Sequence, residues 1–323
     1  MRWKGKQIRR SVHPDCSAMG RYIMFATTKS IIKYWQLYVL ILPAVTAVFI
    51  FHYIPIYGVQ IAFRNYSPVQ GFLGSEWVGL NHFIRFFTYT DFWKIMRNTL
   101  VISLYSLATF PLPVILALMI NEVANKSYKR YVQMISYAPH FVSTVVICSM
   151  IILFTQYDGG LSNNIRLALG MEKIDIITNP KYLPSIYVWS GVWQNIGWET
   201  IIYLAALSNL SPELIEAAKI DGAGRMRTIV SISYPSIRPI IIVMLILSTG
   251  RVLSVGFEKI FLLQNSLNLD TSRVISTYVY EVGIVGGQFS YSSAIGLFDN
   301  VINIIIIIFV NKISNKLTST SLW

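Results

Sequence analysis

The sequence predicts an all-α membrane protein with six transmembrane helices, and three observations carry that reading. Charged residues make up only 13% of the 323-residue chain and apolar ones 54%, whereas soluble domains carry about 25% charged residues. Residues 38–63 and 132–155 hold no Asp, Glu, Lys or Arg, and residues 295–310 hold only Asp299. A helix needs ~20 such residues to cross the hydrocarbon core. Between these runs lies no separate soluble domain and no visible internal repeat.

The spans are expected at residues 36–62, 93–120, 132–156, 185–208, 237–258 and 291–311. Pro43 and Pro55 interrupt the first, Pro111 and Pro113 the second. Proline is tolerated in a spanning helix where neighbouring helices or water satisfy the freed carbonyl, so these helices are expected to kink and to pack as a bundle.

Charge sets the orientation. Eight Lys and Arg precede the first span, from Arg2 to Lys33. With the N-terminus inside, the cytoplasmic segments also take Lys126, Lys129, Arg130, Lys219, Arg225, Arg227, Arg238, Lys312 and Lys316, giving 17 of the 27 basic residues. Basic residues collect on the cytoplasmic side, so both termini are expected inside a bacterial cytoplasmic membrane. The same rule accounts for the net charge of +12 without nucleic acid. Residues 1–34 then form a basic cytoplasmic tail, 35–317 the transmembrane domain and 318–323 a short second tail. Residues 65–91, 156–184 and 259–290 form the outside loops. Cys16 falls in the basic tail and Cys148 in an apolar run, which argues against a disulfide or a metal site. No removable signal peptide is evident.

The stretch between the fourth and fifth spans stands out: "SPELIEAAKIDGAGRMRTIVSISYPSIRP", residues 211–239. Ser211 suits an N-cap and Pro212 the first helical position. Glu213 and Glu216 lie near the positive end of the helix dipole. Gly222 and Gly224 are expected to stop the helix by taking the left-handed conformation. About ten residues remain, with Leu214, Ile215, Ala218 and Ile220 as an apolar side. A helix this short is unstable alone in water, so it needs something to dock into.

This stretch resembles the EAA loop of permease subunits of ABC importers. Glu216-Ala217-Ala218, Gly222, Ile232 and Pro235 match that pattern in spacing, and Tyr234 in place of Leu is the one departure. The stretches "YIPIYGVQIAF" (53–63), "SYAPHFVSTVV" (136–146), "GFEKIFLL" (256–263) and "STYVYEVGI" (276–284) look like the branch of type I sugar importers that handles complex oligosaccharides, including alginate-oligosaccharide and rhamnogalacturonan permeases. The resemblance implies a type I permease bundle. It also implies a coupling helix in which Glu216, Ala217, Ala218, Asp221, Gly222, Ile232 and Pro235 meet an ATP-hydrolysing subunit. The implied partners are a second, homologous permease, two ATPase subunits and an extracytoplasmic solute-binding protein. No G-x-x-x-x-G-K-[ST] phosphate loop occurs, so this chain is expected to bind no ATP, with ATP and Mg held by the partners.

The fourth span is the least hydrophobic. Ser190, Gln194, Asn195, Trp198 and Glu199 share about half of its circumference, with Trp189 and Trp193 beside them. Polar side chains facing lipid are costly. The stripe therefore faces either a sugar path or neighbouring helices, and both readings stay open at this stage. Trp193, Gln194, Asn195, Trp198 and Glu199 are the candidate path residues. Arg251 and Asp299 join them. Arg251 falls 13 residues after Arg238, ~20 Å along a helix, at a depth matching Asp299 on the next span. An ion pair or a shared hydrated pocket would lower the cost of each charge. His82 and His140 read as packing or capping residues. No catalytic set or metal-ligand spacing is present, so no enzyme activity and no metal are expected. A permease for another solute remains the alternative. An ion-coupled secondary transporter would call for inverted repeats, which are not seen.

Overall fold

The computed structural model describes residues 33–318, 321 and 322. Most of the expected N-terminal tail, Cys16 included, lies outside the described residues, as does part of the C-terminal tail. The chain divides into two units, Met1–Val59 and Gln60–Trp323.

In the first unit, α1 (Trp35–Val48) runs into a π-turn at Phe49–Tyr53 and a short helical turn at Ile54–Ile56. The described part of this unit is helical from Trp35 to its end at Val59, as the apolar pattern requires. The π-turn directly precedes Pro55. A proline has no N–H to give to the turn before it and its ring crowds that turn, and a widened turn absorbs both effects.

The second unit opens on a hairpin, with β1 (Arg64–Asn65) antiparallel to β2 (Glu76–Trp77). Helix α2 (Asn81–Phe87) follows. Helices α3 (Phe92–Ala108) and α4 (Pro111–Asn121) form one course of 30 residues, interrupted where Pro111 and Pro113 reset it. The third expected span, 132–156, is not a single straight helix. Helix α5 (Lys126–Tyr137) passes through a 3-10 turn (Ala138–Phe141) into α6 (Thr144–Thr155), and the two halves are bent by 94°. Pro139 interrupts the first half. Ser143 is extended and caps the second, its Oγ accepting from the Val146 N–H at 3.4 Å.

Helix α7 (Leu161–Ala168) leads to α8 (Leu183–Ser208), which is unbroken for 26 residues, ~39 Å at 1.5 Å per residue. Next come α9 (Pro212–Ile220) and the course Arg225–Thr249, whose second part is α10 (Tyr234–Thr249). A π-turn at Ile229–Ser233 precedes Pro235, the same arrangement as at Pro55. The fifth span was expected to reach residue 258, but α10 ends at Thr249. A Cβ on Gly250 would stand 2.8 Å from Ile307 Cδ1. Helices α11 (Phe257–Leu263), α12 (Ile275–Tyr280) and α13 (Phe289–Thr318) complete the chain. Among the described residues four helices are long and apolar enough to cross a membrane, or five if the bent pair counts as one. Helix α8 has the length, but its polar stripe keeps it out of that set.

Three apolar clusters hold the second unit together. Phe86, Phe92, Ile95, Tyr278, Tyr291 and Ile295 join α2, α3, α12 and α13. Ile102, Cys148, Leu183, Ile260 and Val274 join α3, α6, α8 and α11. Val114, Ala117, Tyr203, Leu207 and Ile237 join α4, α8 and α10. The connections are tied by buried amides. Asn268 Nδ2 donates to Ile177 O and Leu263 O, both at 3.0 Å, which satisfies carbonyls that no helix or sheet uses.

Candidate functional site

Two features stand apart from simple packing: the exposed helix α9 and a cavity beside α8. Helix α9 ends in a closed cap. Gly222 has φ +77°, its N–H donates to Lys219 O at 3.1 Å, and the Ala223 N–H reaches back to Ala218 O at 2.9 Å. This pair of bonds makes a Schellman cap. Gly224 differs from expectation, since its φ of −71° lies in the extended region. It starts the next helical turn rather than stopping α9. Ser211 is extended at the N-cap, but its hydroxyl makes no capping bond.

Along α9, Ile215 and Ala218 are half-buried, while Glu216, Ala217 and Asp221 are exposed. Leu214 is exposed at 55% and Ile220 at 86%. Two of the four expected apolar residues thus point away from the unit. A hollow of about 160 Å³ beside them is lined by Ala218, Asp221, Ala223, Arg227, Thr228, Ser231 and Ile232. Of the coupling-loop residues, Ala218, Asp221 and Ile232 thus share this hollow, and Pro235 lies in the first turn of α10.

The cavity has a volume of about 910 Å³. The backbone break between α5 and α6 forms part of its wall through His140, Phe141, Val142 and Ser143. The polar stripe of α8 supports that break. Gln194 Nε2 donates to Val142 O at 3.2 Å. Asn195 Nδ2 donates to Gly191 O at 3.1 Å, which turns its Oδ1 toward His140 Nδ1 at 3.0 Å. The imidazole must then donate from Nδ1. The Trp198 ring stacks on His140 with centroids 4.4 Å apart. Gly197 lets α5 and α8 cross closely, since a Cβ there would lie 2.1 Å from Ser136 O.

Gln194, Asn195 and Glu199 thus line the cavity, and so does Arg251. Trp193 does not line it and is exposed at 51%. Trp198 also lies outside the lining, behind His140. The amides of the stripe are engaged in helix packing, while Glu199 faces the cavity.

The suggested ion pair between Arg251 and Asp299 is not formed. Arg251 lies beyond the end of α10, in the turn that follows Thr249. Asp299 Oδ2 accepts instead from Asn303 Nδ2 at 3.4 Å. Asn303 Oδ1 in turn accepts the Leu253 N–H at 3.1 Å, and its Nδ2 reaches Ser254 Oγ at 3.2 Å. Asn303 therefore ties α13 to the connection after α10. Its spacing of four residues from Asp299 was the available signal.

Sequence reasoning also missed Lys259, which lines the cavity and is buried. Its ammonium lies over the Tyr187 ring, 5.4 Å from the centroid. Burial pulls its amine down to about 8.

This architecture has known counterparts. Residues 109–319 match the family "binding-protein-dependent transport system inner membrane component". The chain belongs to this family. The permease is 43% identical over 287 residues to the polygalacturonan/rhamnogalacturonan transport system permease protein YteP of Bacillus subtilis, covering 88% of this chain and 89% of the relative. It is likewise 43% identical over 288 residues to protein LplB of the same organism, covering 89% and 91%. A chain in the crystal structure of a bacterial alginate ABC transporter, in complex with an alginate pentasaccharide-bound periplasmic protein, superposes on the permease with a TM-score of 0.83. That match has 37% identity and covers 91% of this chain and 99% of the other.

Proposed function

We propose that this chain is the transmembrane permease subunit of an ATP-driven importer of oligosaccharides delivered by an extracytoplasmic solute-binding protein. The observation that carries the reading is α9. It is a short, capped helix that presents Leu214 and Ile220 to solvent beside the Glu216–Ala218 stretch. Exposed apolar side chains on so short a helix call for a partner surface. In this reading the partner is one of two ATPase subunits, which hold ATP and Mg and hydrolyse ATP while this chain carries no catalysis. A second, homologous permease completes the membrane part.

The chain crosses the membrane six times with both termini inside. Helix α8 serves as a span because its polar stripe turns to the cavity rather than to lipid. The bent α5–α6 pair serves as another, since irregular backbone at membrane depth is tolerated where it lines a cavity. The cavity is the translocation path, with Gln194, Asn195, Glu199 and Arg251 in its wall. The kinship with permeases named for polygalacturonan, rhamnogalacturonan and alginate transport supports a glycan cargo.

The test is reconstitution of the whole complex in liposomes with its binding protein. ATP-dependent uptake of a labelled oligosaccharide is expected, together with co-purification of the ATPase through this chain. Uptake driven by an ion gradient without ATP would overturn the reading.

A further inference from the structure

Helix α5 has three faces of different chemistry. At about 100° per residue, Tyr128, Tyr131 and Ile135 fall within about 60° of each other, with Met134 beside them. These four are exposed at 60%, 60%, 69% and 58%, so most of the apolar strip is uncovered. Lys126, Lys129 and Arg130 fall within about 100° on the opposite side. Among the described residues none of the three forms an ion pair. Val132, Gln133 and Ser136 are half-buried and form the third face. It packs on α8, where the backbone of Ser136 comes close to Gly197.

The bend beyond this helix sets it apart from α6. The two halves meet at 94°, so they cannot both follow the bilayer normal. Helix α6 holds no charged residue, while α5 holds three. The half that runs obliquely along the interface is therefore α5. An apolar strip opposite Lys and Arg is the pattern of an interfacial helix, with the strip sunk into the acyl boundary and the basic side among the headgroups. Tyr is common at protein and membrane interfaces alike, but Lys is depleted from protein interfaces. Three basic residues without ion pairs thus favour an anionic lipid surface over a protein partner.

We propose that α5 is a binding site for anionic phospholipid of the inner leaflet. Lys126, Lys129 and Arg130 meet the phosphate headgroup, and Tyr128, Tyr131 and Ile135 lie against the acyl chains. The inference goes beyond the importer reading and rests only on its placement of the α4–α5 connection at the cytoplasmic face. A lipid held there braces the turn that carries His140 and Phe141 into the cavity wall.

The experiment uses the complete transporter in detergent micelles, titrated with fluorescent NBD-phosphatidylglycerol or with NBD-phosphatidylcholine. Each basic residue near an anionic surface contributes about a 5-fold gain in affinity, so Lys126→Gln/Lys129→Gln/Arg130→Gln should weaken phosphatidylglycerol binding at least ~10-fold and leave phosphatidylcholine binding within ~2-fold. Lys126→Arg/Lys129→Arg/Arg130→Lys keeps the charge and should keep the preference. Lys312→Gln/Lys316→Gln, near the end of α13, should keep it too. Size-exclusion chromatography reports assembly. Unchanged phosphatidylglycerol binding in the first variant, or an equal loss for both lipids, would overturn the inference. An equal loss of phosphatidylglycerol binding in Lys312→Gln/Lys316→Gln would do the same. Loss of a co-purifying second permease in the first variant would assign the face to a protein and overturn it as well. So would labelling of Ser127→Cys, above the parent, by an impermeant maleimide in intact cells. The readout is lipid binding in detergent, so a lack of ATP-driven uptake would overturn the importer reading alone.

Discussion

The two glycines of the loop after α9 allow a sharp test, because they look alike in sequence and differ in backbone. Gly222 sits at φ +77° with open space around a Cβ built there. The cost of a side chain at this position is therefore one of backbone conformation, without a clash. Forcing an ordinary L-residue into the left-handed region costs about 1–2 kcal/mol, and a β-branched one stands at the upper end. If the chain escapes that strain by leaving the left-handed region, it loses the two capping bonds at 3.1 and 2.9 Å. These contribute about 0.5–1.5 kcal/mol each, so escape brings no relief. Either route lowers the population of the closed cap about 5- to 30-fold. Gly224 is at φ −71° and ψ 166° and precedes a helical turn, where Ser is a better N-cap than Gly.

The assay is ATP-dependent uptake by the reconstituted complex, with co-purification of the ATPase as a second readout. Gly222→Val should reduce coupled uptake by about an order of magnitude. Gly222→Asn should be the mildest change there, because Asn tolerates the left-handed region, and Gly224→Ser should match the parent. Equal effects at the two glycines, or a larger loss at Gly224, would refute the reasoning.

Other expectations follow from the packing. Gly197→Ala drives a Cβ to 2.1 Å from Ser136 O, and overpacking of this kind costs about 1–3 kcal/mol. The melting temperature of the purified permease should fall, while Gly296→Ala, with nothing within 4 Å, should leave it unchanged. Asn303→Leu strips the buried Leu253 N–H of its acceptor, so a loss of about 1–3 kcal/mol is expected in chemical denaturation. In a double-mutant cycle, Arg251→Met and Asp299→Asn should be additive in stability, because the two side chains do not pair; a coupling above about 0.5 kcal/mol would contradict the structure. Glu199→Gln should lower glycan uptake and leave assembly intact, since the carboxylate lines the cavity and makes no ion pair among the described residues.

Much of the architecture was legible because long apolar runs have one solution in a bilayer. The helix starts at Trp35, Phe92 and Phe289 fell within two residues of expectation, because the apolar runs themselves mark them. The break between α5 and α6 was not legible. Residues 132–155 hold no Asp, Glu, Lys or Arg, and composition alone does not say that Pro139 and Ser143 will turn the chain by 94°. The early end of α10 was hidden in the same way, since Val252, Leu253 and Val255 continue the apolar run past the last helical turn. At the site, the polar stripe announced α8 through its period. Its partners came from an irregular segment some fifty residues earlier, and no local pattern encodes such a long-range pairing. Lys259 went unseen because a lysine just past an apparent span reads as a solvated anchor, and only packing against Tyr187 and Gly191 buries it.

The way the amides of α8 are used separates two kinds of change that the permease can undergo. Gln194 and Asn195 are engaged in holding the Val142 carbonyl and the His140 ring, so replacing them disturbs the bend on which the cavity wall depends. The segment between Gly250 and Lys259 carries its charges without ion pairs among the described residues, while Leu253, Ser254 and Gly256 are tied to α13 and α8. The charges of Arg251 and Glu258 can be altered there without breaking a salt bridge. A lineage adapting to a new cargo would find its tolerated substitutions in that short segment, and the long helices could stay as they are.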